Sequence, residues 1–107
     1  MGNTYRNARA RLGTSEAAVY TAPQGKVALV QTALAAALGA ANSTVTVSWA
    51  DASAGNVRTT LIQDGVVPVA GTLNVLTRVI VLEPGDALYA SAGGGAVDLT
   101  VALLEQG

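Results

Sequence analysis

The chain has 107 residues and a formal net charge of −1, a size that fits one domain. It contains no cysteine and no histidine, which excludes disulfides and thiolate chemistry within the chain and removes the commonest general base and transition-metal ligand. Only 12% of its residues are charged and its mean hydropathy is +0.42, against about 25% charged residues in ordinary soluble domains, so the surface is expected to seek partners.

The core is expected to be built from small side chains, because there is no Phe, one Trp and three Tyr within a 50% hydrophobic composition. Each small side chain buries little area at about 25 cal/mol per Å². Partner subunits are therefore expected to supplement the core.

Residues 1–16 read as an extended polar N-terminal arm, and residues 17–107 as a single β domain. Arg6, Arg9 and Arg11 supply half of the six basic residues, and their spacing of three and two makes no single helical or strand face. Such an arm suits docking on an acidic neighbour. The N-terminus has no apolar stretch of the kind a secretory signal carries, and no export is expected.

From residue 17 the chain alternates short apolar runs with turn signals, the pattern of an all-β protein. A strand at Ala18–Thr21 leads to a turn at Ala22-Pro23-Gln24-Gly25. Lys26–Ala37 reads as a longer strand, although its alanines also favour helix. The longest apolar-looking stretch, Val27 to Ala41, is interrupted by Gln31, Thr32 and Gly39 and is too short to cross a membrane.

In "STVTVSWA", Val45, Val47 and Trp49 alternate with Thr44, Thr46 and Ser48, which predicts a strand with one apolar and one hydroxyl-bearing face. "DASAGN" reads as a loop and "VRTTLI" as the next strand. Asp64-Gly65 signals a turn, and Pro68 demotes the following run to an edge strand or a bulge. Leu73–Leu82 reads as one strand covered on both faces, with Arg78 its only charge. Glu83-Pro84-Gly85-Asp86 fits a type II turn, in which Gly85 takes the positive φ. "ALYA", the flexible "SAGGGA" and a last strand, "VDLTVALLE", follow. About eight short strands predict a β-sandwich of jelly-roll type.

Nothing in the residues spells an enzyme or a cofactor site. Glu83 with Asp86 is the closest carboxylate pair, and turn chemistry explains it. Asp51, Ser53 and Asn56 in "DASAGN" lack the closing Glu of a calcium loop. "SAGGGA" lacks a phosphate-binding lysine, no serine elbow occurs, and pI ≈ 5.0 argues against nucleic-acid binding. Trp49, in phase with Val45 and Val47, reads as core or as an interface anchor.

"VYTAPQGKVALVQTALAA", "STVTVSWADAS" and "VIVLEPGDALYASA" with "VDLTVALLE" resemble small structural proteins of tailed-bacteriophage virions. These carry a Tyr-Thr-Ala-Pro-x-Gly opening, here Tyr20–Gly25, and a Leu-x-x-Gly-Asp turn, here Leu82–Asp86. The resemblance spans Val19 to Glu105. It implies a non-enzymatic head-decoration or cement protein on the capsid surface, made in the host cytoplasm, forming a homotrimer and binding the major capsid protein. Partner contacts are then expected at Arg6, Arg9, Arg11, Tyr5 and Pro68, with no small-molecule substrate, membrane or nucleic acid. The alternatives are a tail, baseplate or fibre-associated protein, and a jelly-roll carbohydrate-binding module using Trp49 or Tyr89 as a stacking platform.

Overall fold

A computed structural model describes residues 2–76, 78–94 and 96–107. Its elements are β1 (Asn3–Leu12), β2 (Ala17–Thr21), β3 (Val27–Ala37), β4 (Ser43–Asp51), a 3-10 turn at Ala52–Ala54, β5 (Val57–Val67), β6 (Thr72–Asn74), β7 (Ile80–Leu82), β8 (Ala87–Ala92) and β9 (Val97–Gln106).

They form two antiparallel sheets. One has the order β1-β9-β3-β6 with β7 also paired to β3, and the other has the order β2-β8-β4-β5. Because β9 pairs along all of β3, β6 and β7 share its opposite side, at Leu34–Ala36 and Ala28–Val30. Counted as one interrupted strand they complete two four-stranded layers, and most connections cross from one layer to the other. This is the jelly-roll sandwich.

The core lies between the layers. Val30, Val45, Val67, Leu82, Leu88, Val97, Leu99, Val101 and Leu103 are all essentially inaccessible, and alternation along each strand places them there. No Phe is needed because alanines such as Ala28, Ala33 and Ala35 let the sheets approach closely around the larger residues.

The expected arm is a strand. β1 pairs with β9 from Asn3↔Gln106 to Leu12↔Val97, and Ala8, Ala10 and Leu12 face the core. The alternation Ala8-x-Ala10-x-Leu12 drives this placement: those residues lose apolar surface on pairing while the intervening arginines stay exposed. Met1 lies outside the described residues.

Three further expectations shift. The Asp64-Gly65 pair does not end a strand; β5 runs through it, with register breaks against β4 between Val45 and Ser48, and Asp64 takes a φ of 51° where a bulge rather than a hairpin absorbs the extra residue. Leu73–Leu82 divides into β6 and β7, with Val75 and Leu76 turned into the core between them; Thr77 lies outside the described residues. The first turn closes one residue later than expected, Lys26 N–H donating to Pro23 C=O at 3.2 Å. Pro68 follows directly on β5, an edge strand as expected.

The opening of the Glu83–Asp86 turn is as predicted. Asp86 N–H donates to Glu83 C=O at 2.9 Å, and Gly85 has a φ of 88°, a conformation that side chains beyond glycine rarely adopt. "SAGGGA" is loop only in part: Ser91 and Ala92 extend β8 and pair with Thr46 and Val45, the connection to β9 follows, and Gly95 lies outside the described residues.

Candidate functional site

The two outward faces differ in chemistry. On the β2 sheet, the residues turned away from the core include Thr46, Ser48, Thr60 and Ser91, and the Arg58 guanidinium lies 3.7 Å from the centre of the Tyr89 ring. Arg58 also bonds Glu16 at 3.1 Å. Tyr89 is thereby covered, and Trp49 packs against the core from the inner face. Neither ring is a free stacking platform.

On the β1 sheet, one row crosses β1, β9, β3 and β7. Tyr5 pairs with Leu104, Leu104 with Leu29, and Leu29 with Val81. Cross-strand partners share a face, so the four side chains form a continuous apolar stripe. Tyr5 is 74% and Val81 52% exposed. Leu104, between Tyr5 and Leu29, is buried by its flanking neighbours although it lies outside the core cluster. Val27, Ala102, Leu34 and Ala36 extend the same outer face along β3 and β9.

The arginines sort by strand parity. Arg9 and Arg11 share the outer face with Tyr5, whereas Arg6 points to the inner side. Arg11 Nε donates to Asp98 Oδ1 at 2.9 Å, and this contact holds the Asp98 carboxyl below its ordinary value. Arg6 Nε donates to Glu105 Oε1 at 2.7 Å. The acidic neighbour that the arginines were expected to find is thus, for two of them, β9 of the same chain. Arg9 stands opposite Thr100, and Arg9, Arg11, Asp98 and Thr100 line a shallow, open depression.

Glu105 is almost fully buried and also accepts from Tyr20 Oη at 2.6 Å. First the Tyr20 hydroxyl and then Arg6 hold its carboxyl below the ordinary range. Burial, and next the Glu105 carboxylate, push the Tyr20 phenol up. These three side chains fasten β1, β9 and β2 across the open edge of the sandwich.

A second acidic group was invisible as a cluster in the sequence. Asp51, Glu83 and Asp86 bring carboxylate oxygens within 4.8 Å of one another. Their chemistry is structural: Asp86 accepts from the Ala52 N–H at 2.8 Å and the Glu83 N–H at 3.0 Å, while Asp51 accepts from Ser53 N–H and Oγ. The carboxylates of Asp86 and Asp51 satisfy backbone donors at turns that meet at one end of the sandwich.

Of the sequence-derived candidates, Tyr5, Arg9 and Arg11 come together on one face, while Arg6 lies on the inner side of β1 and Pro68 follows the opposite edge, at the end of β5. Leu29, Leu104 and Val81 were missed. The signal was available only as strand parity, and it needed the pairing partners to become a stripe.

No protein-family model matches the chain, and no curated protein matches it. The fold is similar to a solved structure described under the words "Bacillus endospore appendages form a novel family of disulfide-linked pili". The two share 10% identity over 97% of this chain and 84% of that one, with a TM-score of 0.59. At that identity the likeness is one of fold. The present chain has no cysteine, so disulfide linkage has no counterpart within it.

Proposed function

We propose that this protein is a non-enzymatic structural component of a bacteriophage virion, a capsid decoration or cement protein that self-associates and binds the assembled head lattice. The observation that carries the reading is the apolar stripe Tyr5–Leu104–Leu29–Val81 on an otherwise weakly charged sheet face. Exposed contiguous apolar surface marks a place for a protein partner, and the jelly roll is a recurrent capsid architecture. The resemblance of Val19–Glu105 to small virion proteins supplies the particle. A fold neighbour that builds pili is compatible with self-assembly.

A cement protein acts by linkage: binding the assembled shell in preference to free capsid subunits stabilises the shell by mass action. Its chemistry is then burial of apolar surface. The test is cryo-electron microscopy of particles from the source. Density on the capsid lattice in many copies is expected. Density confined to a tail ring moves the protein to the tail or baseplate, and absence from the particle overturns the virion reading.

A further inference from the structure

We infer that the outer face of the β1 sheet is covered by the same face of a second copy of this chain, related by a two-fold axis parallel to the strands. This deepens the proposed function and rests on its claim of self-association, but it does not depend on the particle.

Area supports a second copy as the occupant. Three strands of ten or eleven residues and the three-residue β6 and β7, spaced about 4.8 Å apart at about 3.4 Å per residue, present a face of roughly 600 Å². Stacking two such faces removes roughly 1,200 Å² from water, which reaches the range of specific protein interfaces. The contact is sheet on sheet, the same packing that the two layers of the sandwich already use. A two-fold axis along the stripe instead would leave the Arg9 and Arg11 end of each face uncovered.

Charge supports the same arrangement. Rotation about an axis parallel to the strands keeps each residue at its height along the sheet and exchanges the β1 margin for the β6 and β7 margin. Tyr5 of one copy then meets Val81 of the other. Arg9, level with Leu34 and Asn74, meets Asn74 of the other copy, and Arg11, level with Thr72, meets Thr72. Among the described strand residues of this face, no arginine meets an arginine. The strand-borne charges of the outer face sit in one corner, Arg9, Arg11 and Asp98; the strand residues of the opposite margin, in β6 and β7, are uncharged, and Arg78 lies in the connection between them.

The other outward face is a poor competitor. That face carries exposed Val66, but among the hydroxyls of Thr46, Thr60 and Ser91 and the Arg58–Tyr89 pair, which keep their water at little cost, whereas the stripe gains by losing it.

The test is light scattering coupled to size exclusion, run on the full chain at tens of micromolar (about the range in which an interface of this size is populated). The wild type is expected at twice the 10.7 kDa chain mass. Val81→Lys and Tyr5→Asp, both at exposed positions, are each expected to give a monomer with an unchanged far-ultraviolet circular dichroism spectrum. Thr60→Lys, on the hydroxyl face, is expected to leave the dimer intact. A monomeric wild type, a trimer, a dimer indifferent to Val81→Lys and Tyr5→Asp, or one lost equally with Thr60→Lys overturns the inference. A dimer with no place on the particle would refute the virion reading alone, and a monomer bound on the capsid lattice would refute this inference alone.

Discussion

The carboxylate of Glu105 accepts a 2.6 Å hydrogen bond from the hydroxyl of Tyr20, and the two residues belong to different sheets. β9 lies beside the edge strand of one layer and β2 is the edge strand of the other. A buried acceptor is thus used to close the sandwich at a margin that β-ladder bonds do not cross.

Replacing Tyr20 by Phe removes that bond without removing the ring. The loss is expected to be about 1 kcal/mol, in line with a net hydrogen bond at a part-exposed position, and Tm should fall by roughly 4–8 °C for a domain of this size. Thermal unfolding followed by circular dichroism checks this; an unchanged Tm would show that the clasp contributes nothing.

The pH dependence has two limbs. Glu105 is held below its ordinary value of 4.5, first by Tyr20 and then by Arg6, so its contribution is complete above pH 4.5 and is lost as pH falls through the folded value. Tyr20 is raised above 10.0 by burial and by Glu105, so its contribution is complete below pH 10 and is lost as pH rises through its folded value. Stability should therefore be flat between these limits. Chemical denaturation at stepped pH reads both limbs, and Glu105→Gln should shrink the acid one to the part that Asp98 contributes. Ultraviolet titration should show Tyr20 ionising above its ordinary value of 10.0.

Deleting residues 1–12 tests the nature of the N-terminal segment. A docking arm could be removed with the domain intact. As β1, however, the segment covers β9 along ten residue pairs and contributes Leu12 to the core. The truncated chain is expected to lose its cooperative unfolding transition and to aggregate through the uncovered edge of β9.

Asp86→Ala strands two backbone donors, the amides of Ala52 and Glu83, at a residue that is 2% exposed. A cost of about 2–3 kcal/mol is expected from the unsatisfied groups. Gly85→Ala in the same turn should cost about 1–2 kcal/mol, because φ is 88° and an added Cβ would lie 3.2 Å from Ala52 Cβ. Urea unfolding midpoints of the two variants measure both.

Arg58 lies over the Tyr89 ring at 3.7 Å. Arg58→Ala should lower stability by about 0.5–1 kcal/mol, the range for an exposed cation–π contact. Calorimetry of the wild type against a glycan panel is expected to give no heat of binding, since Tyr89 is covered. A saturable heat that vanishes in Tyr89→Ala would restore the carbohydrate-binding reading.

Much of the fold was legible because alternation and turns are local. Val45, Val47 and Trp49 in β4, and Val97, Leu99, Val101 and Leu103 in β9, declare their inward face by parity alone. Pro84-Gly85 declares its turn because few other residues take those dihedrals. The segment Asn3–Leu12 was misread because its three arginines drew the interpretation, while the weaker signal of Ala8, Ala10 and Leu12 carried the burial. The Asp64-Gly65 pair was misread because a bulge and a hairpin ask for the same positive φ.

The sequence by itself determined the inner faces of most strands, the turn at Glu83–Asp86, and the absence of thiol and imidazole chemistry, since each of these depends on residue type and near neighbours. Only the tertiary structure decided which strands lie side by side. Alternation gives a residue its face but not its neighbour across the sheet. Tyr5, Leu104, Leu29 and Val81 are therefore separate residues in the chain and one apolar row in the molecule, and Arg6 finds Glu105 across 99 positions because β1 pairs with β9.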